Sequence, residues 1–309
     1  MAAEGDNIVR FTYTGADGER IPRGATHVIV KARKVREEAF FRHRNIIEVI
    51  FDDRVEKIEA SAFEECPSLR RVIMRGVLIV ERCAFMSCHA LEEMECNKLE
   101  IIGERAFSWL GVYLRSLNLP SVRIVHRRAL SDCHGLNNVK FGSNLERIEG
   151  AAFDGCYNLD GIVIPLKDGL ITRDNIFTGC RRLDRVDLVE GELHETIAAL
   201  HLVKWRNDMR EEIDSIQEIL PDTPTGGEQR GDEGEIAQEI RRWIRSVLEK
   251  ITRYQAKHRR LLDEDVATIL QCELPVAFSQ DIVMNNVHSF LELPPYTFEV
   301  EDDLRLWEE

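Results

Sequence analysis

"SAFEECPSL" (residues 61–69), "CAFMSCHAL" (83–91) and "AAFDGCYNL" (151–159) write one pattern three times: Ala-Phe, a cysteine three residues after the Phe, and a leucine three after that. With the Phe set to position zero, the column reads Phe40, Phe63, Phe85, Phe107, Leu130, Phe153 and Phe177, at spacings of 23, 22, 22, 23, 23 and 24. The column before it is Ala39, Ala62, Ala84, Ala106, Ala129, Ala152 and Ile176. Position +3 holds His43, Cys66, Cys88, Leu110, Cys133, Cys156 and Cys180; position +6 holds Ile46, Leu69, Leu91, Tyr113, Leu136, Leu159 and Leu183. Position −5 reads Val35, Ile58, Val80, Ile102, Val125 and Ile148, then breaks at Thr172. A near-constant period of this length is the signature of stacked repeats.

Each unit carries a short stretch of alternating character, such as "LRRVIM" (69–74) and "LDGIVI" (159–164), which reads as a strand. Alternation turns Val72 and Met74 inward, and Arg71 and Ile73 outward. A unit of this size cannot bury its apolar face alone, so stacking must bury it as a ladder with strands about 4.8 Å apart. Each Phe then rests on the next. The cysteine is a thin, weakly polar ladder residue. Five of the eight cysteines lie in that column, and Cys96 falls in a strand core column with Phe51, Met74 and Phe141.

The pattern "LxxIxxxAFxxCxxLxxVxI" resembles leucine-rich repeats of the BspA-like type over roughly residues 28–190. The resemblance implies an α/β leucine-rich-repeat solenoid: right-handed, with a parallel sheet on the concave side, irregular or short helical segments opposite, and about seven 22–24-residue repeats. It also implies a role in protein interaction, and it brings no catalytic residues.

The net charge of −14 is uneven. Residues 1–190 hold 28 basic and 29 acidic side chains, whereas 191–309 hold 13 and 26. The shift marks a boundary near 190. An acidic surface repels phosphate backbones, which argues against nucleic acid as a partner. "MAAEGDNIVRFTYTGADGER" (1–20) lacks the basic and apolar regions of a secretory signal, and no window is long and apolar enough to span a membrane. A cytoplasmic protein with reduced cysteines is the expectation.

Residues 1–27 read as an N-terminal cap hairpin turning at Asp17-Gly18. Beyond 190, residues 191–309 read as a helical extension. Helix 192–220 is acidic. Helix 236–262 carries an apolar seam of Ile236, Ile240, Trp243, Val247, Ile251, Tyr254, His258 and Leu261, with a basic face at Arg241, Arg242, Arg245, Lys250, Arg253, Lys257, Arg259 and Arg260. Between them 221–235 is a flexible acidic loop. Opposite signs favour an antiparallel pair, and the alternatives are a cap on the solenoid or an external acidic partner. Residues 263–309 read as one or two short helices and an acidic tail.

Candidate chemistry is sparse. Cys88-His89 and Cys133-His134 are adjacent, but a ladder cysteine lacks the exposed, polarised setting a nucleophile needs. Cys83-x₄-Cys88 has no second pair for a zinc site. "HETIA" (194–198) has Ala198 where a zincin needs histidine. Segment 274–294 faintly resembles the opening of an F-box. No catalytic residue, cofactor or metal site is expected. The expected function is non-enzymatic: a protein-interaction scaffold recognising its partner on the concave face, at the outward strand residues Arg71, Ile73, Glu93, Glu95, Ser116, Asn118, Asn138, Lys140, Arg185 and Asp187. The alternative is a regulatory adaptor or homo-oligomer formed through helices 192–220 and 236–262, with the solenoid structural.

Overall fold

The computed structural model describes residues 8–189, 207–211 and 234–273. Its repeats form a parallel-sheet β-solenoid of about seven turns, followed by a long helix. We number the coils 1–7 by their position-zero residues, Phe40 to Phe177.

Each coil has three sides. The first is a strand of three or four residues: β2 (His27–Val30), β4 (Glu48–Phe51), β6 (Arg71–Ile73), β8 (Glu93–Glu95), β10 (Ser116–Leu119), β12 (Asn138–Phe141), β14 (Gly161–Ile164) and β15 (Arg185–Leu188). These pair in parallel, except that β8 and β10 are unpaired, which divides the sheet in two. The second side is a continuous sheet of two-residue strands, β3 (Lys34–Val35), β5 (Lys57–Ile58), β7 (Ile79–Val80), β9 (Ile101–Ile102), β11 (Ile124–Val125) and β13 (Arg147–Ile148).

The third side carries the Ala-Phe motif and has no strand. Its N–H groups at positions −2, 0 and +2 donate to carbonyls at −3, −1 and +1 of the next coil, as in Ser61 to Arg82, Phe63 to Ala84 and Glu65 to Met86. Aiming alternate amides this way requires left-handed backbone at −2 and +2. Eleven non-glycine residues from Glu38 to Ala151 adopt it, with φ between 53° and 62°. Within, Phe40, Phe63, Phe85 and Phe107 stack with centroids 4.6, 5.2 and 5.8 Å apart. Leu130 interrupts the stack, and Phe153 resumes it on Phe177 at 5.6 Å.

Three sequence expectations are corrected. The N-terminal segment is not a hairpin. β1 (Arg10–Tyr13) pairs with β2 in parallel, from Arg10↔His27 to Tyr13↔Val30. The Asp17-Gly18 turn is a corner of a shortened coil, because Asp17 is tied to Arg36 of the next coil at 2.6 Å and Glu19 accepts the Thr14 and Gly15 amides. Parallel pairing also puts Tyr13 edge-on to Phe40, at 5.2 Å, which begins the aromatic ladder.

Tyr113 is not a core residue. It is 58% exposed, and Leu114 fills the position at 4%, because coil 4 has an extra residue before its strand. Likewise Ile171, not Thr172, bridges to Ile148 in the 24-residue unit, while the Thr172 hydroxyl donates to the Ile148 carbonyl at 2.8 Å.

The third correction is helix length. Helix α1 spans Glu235–Glu273, 39 residues, running through the stretch expected to start a separate helix. Nothing between 262 and 273 breaks it: no glycine or proline falls there.

The chain divides into two compact units, one of Met1–Glu192 with Ser215–Arg245, the other of Leu193–Asp214 with Ser246–Glu309. In the first, Ile236, Ala237, Ile240, Trp243 and Ile244 are buried, and Arg241 and Arg245 pair with Asp174 and Asp168 of the last turns of the solenoid. In the second, helical residues 207–211 contact α1: the Tyr254 hydroxyl donates to Asp208 Oδ2 at 2.7 Å and Lys250 Nζ to the Asp208 carbonyl at 3.2 Å. The remainder of helix 192–220, most of the acidic loop, the HETIA stretch, the F-box-like stretch 274–294 and the acidic tail lie outside the described residues.

Candidate functional site

The ten candidate residues share the outward face of the long-strand sheet, in register: Arg71↔Glu93, Ile73↔Glu95, Ser116↔Asn138 and Asn118↔Lys140. Their environments differ. In the N-terminal half, Arg71 pairs with Glu48 at 3.3 Å and Glu93 at 2.9 Å, His27 lies 3.9 Å from Glu48, and Arg75 holds Glu95 at 2.8 Å. Ile73 is only 9% exposed, between Ile50 and Glu95 in the ladder, so it offers little surface. At the far end Arg185 pairs with Asp187 at 3.3 Å, and its guanidinium lies over Gly161, where an added Cβ would come within 2.7 Å of it. Between these ends, the side chains of Ser116, Asn118, Asn138 and Lys140 make no ion pair or hydrogen bond among the described residues, although the Asn118 carbonyl accepts from Cys96 Sγ at 3.6 Å. Ion pairs thus flank a central patch whose side chains carry none among the described residues.

The cysteine column is structural. Cys66, Cys88, Cys133, Cys156 and Cys180 donate through Sγ to the position-zero carbonyl of the preceding coil, at 3.0–3.2 Å. The amide ladder between coils does not use that carbonyl; those of Phe40 and Phe153 also accept the +3 amide of their own coil, and the thiol supplies a further donor to each buried acceptor. Burial pushes the Cys66 and Cys96 thiols up to about 12, and those of Cys88, Cys133 and Cys156 well above the usual thiol range. Burial of this kind disfavours the thiolate, the form in which a cysteine attacks. The adjacent histidines face elsewhere: His89 is exposed, and His134 Nδ1 bonds the Gly155 carbonyl at 3.0 Å. None of the seven described cysteines is in a disulfide.

Sequence reasoning missed a second surface, on the turn side. Position +1 carries Phe41, Glu64 and Met86, then Ser108 and Ser131, then Asp154. The two consecutive small residues open a trough of about 540 Å³. Arg105 and Arg128 at −2 form one wall, Trp109 and Asp132 at +2 the other. Trp109 is 47% exposed and begins a row across the coils: His134 packs edge-on to it at 5.7 Å, Tyr157 stacks on His134 at 5.0 Å, and Arg181 lies 5.5 Å over Tyr157. The available signal was the pair of serines in an otherwise bulky column.

Among the described residues no group of three or more His, Cys, Asp or Glu side chains is arranged to hold a metal ion, and no helix is long and apolar enough to cross a membrane.

No curated protein matches the chain. Solved structures similar to it include a leucine-rich repeat protein from Bacteroides ovatus, 24% identical over 58% of this chain and 43% of that one, with a TM-score of 0.43. A T. pallidum leucine-rich repeat protein is 24% identical over 56% of this chain and 82% of that one, with a TM-score of 0.46. The pneumococcal vaccine antigen PcpA is 19% identical over 58% and 54%, with a TM-score of 0.34. This chain thus spans less than half the length of the Bacteroides protein. The family model described as "BspA type Leucine rich repeat region (6 copies)" matches residues 27–121 and 100–199, which is more than half of the chain. With its Ala-Phe and Cys columns stacked as one solenoid, the chain belongs to the BspA-type leucine-rich-repeat family.

Proposed function

We propose that the protein is a non-enzymatic recognition scaffold that binds a partner protein through the outward face of its long-strand sheet, inside a reducing compartment. One observation carries this reading. Ser116, Asn118, Asn138 and Lys140 form an in-register polar patch over a constant apolar core, and among the described residues nothing engages their side chains. Solenoids present such side chains on a rigid backbone, which lowers the ordering cost of binding. The unbridged cysteines support a reducing compartment, and the protonated thiols support a non-catalytic role.

The test is affinity capture with the full-length protein, beside a variant carrying Ser116→Arg, Asn138→Arg and Lys140→Glu. The variant is expected to fold and to lose the specific partner. Retention of every partner at undiminished yield would remove the strand face from consideration. The alternative is self-association through the helical hairpin; the bonds that Tyr254 and Lys250 make to Asp208 join its helices within one chain and leave that reading to a measurement of oligomeric state.

A further inference from the structure

The turn-side trough has features that the fold does not require. Position +2 is left-handed in every coil from 1 to 6, and coils 6 and 7 fill it with Gly155 and Gly179, which adopt φ > 0 freely. Coil 4 puts a tryptophan there, at φ 60°, with nearly half of its surface in water. A bulky side chain in this region is strained, and leaving an indole exposed forgoes burial as well. Neither choice helps the solenoid stack. Both make an apolar wall beside the trough.

The chemistry of the trough selects its occupant. The floor is Ser108 and Ser131, 1% and 4% exposed. The Ser108 hydroxyl donates to the Arg128 carbonyl at 2.7 Å, so the 3.0 Å contact between the two hydroxyls has Ser131 as donor. Both protons are then used, and the floor offers only lone pairs. An acceptor floor suits a peptide N–H and disfavours an anion. The walls agree. Arg105 and Arg128 are matched by Asp132 and Asp154, so the trough has no net charge to reward a phosphate or a polyacid. Its volume of about 540 Å³ is that of a site for a few residues, not for a folded domain.

We propose that this trough binds an extended peptide of a partner protein, with an apolar side chain against Trp109, flanked by an acidic residue for Arg105 and Arg128 and a basic one for Asp132. This surface is separate from the strand face, so either can fail without the other.

The experiment titrates isotope-labelled full-length protein with capped tripeptides and follows backbone amide shifts. The probes are acetyl-Glu-Leu-Arg-amide, acetyl-Glu-Leu-Glu-amide, acetyl-Arg-Leu-Arg-amide and inorganic phosphate. The mixed peptide is expected to shift amides within 105–109 and 128–132, and to bind at least about fivefold more tightly than the others, a difference of about 1 kcal/mol. Trp109→Gly suits the left-handed backbone, so it should fold and bind the mixed peptide about tenfold more weakly. The proposal is overturned if the mixed peptide leaves these amides unmoved, if the diacid or phosphate binds as well, or if Trp109→Gly binds like the parent.

Discussion

The turn side and the long-strand sheet are made by the same seven coils, yet they are held together differently. On the turn side, backbone amides and thiols make the contacts between coils, and the ladder from Phe40 to Ile176 is unbroken. On the strand side the backbone ladder stops between β8 and β10, and much of the contact across the outward face is made by side-chain ion pairs. The lesson is where each side can tolerate change. Where backbone bonds backbone, outward side chains at +1 and +2 are free to vary, and a trough can open without loss of stacking. Where the strand must meet its neighbour in register, one extra residue in coil 4 is enough to part the sheet.

Substitutions at three positions test that difference, from the largest effect down. Phe107→Ala removes the last ring of the continuous stack, 0% exposed, and is expected to cost about 3–5 kcal/mol in chemical denaturation. A loss below about 1 kcal/mol would mean that the stack is not what ties the turn side together. Cys156→Ala leaves the buried Leu130 carbonyl without its 3.1 Å donor and should cost about 1–3 kcal/mol. Cys156→Ser, which restores a donor, is expected to recover part of that loss; equal losses would make the thiol a space-filler only. Arg71→Gln cuts two partly exposed ion pairs on the strand face and should change the unfolding free energy by less than about 1 kcal/mol. A larger change would show that the strand face depends on its ion pairs more than on its core.

The inward columns were legible because a buried position accepts few residue types, and stacking repeats the demand in each coil. Phe85, Cys88 and Leu91 lie where the pattern put them, at 0% exposure. The misreadings came from counting at fixed offsets. Counting cannot say where an extra residue goes, and the core chose Leu114 over Tyr113 and Ile171 over Thr172 because those side chains reach it. The Asp17-Gly18 turn was visible, but a tight turn serves a corner as well as a hairpin; the tie from Asp17 to Arg36 that decides between them is long-range. The outward strand residues followed from alternation. Which of them are engaged did not, because ion pairs such as Arg71–Glu48 join residues 23 apart through side-chain reach. The trough was legible in part, as Ser108 and Ser131 in a column of larger residues, but its neutral balance needed the walls to be seen together.

The unpaired β8 and β10 mark one junction of the solenoid. Coils 2 and 3 are linked by three ladders, and so are coils 4 and 5; coils 3 and 4 are linked by two, one of two-residue strands and one of turn-side amides. The strand side is thus divided at that junction, while the turn side stays bonded across it. Met86 and Ser87 at the mouth of the trough belong to coil 3, and Trp109 belongs to coil 4. The trough therefore spans the junction at which the strand sheet is divided.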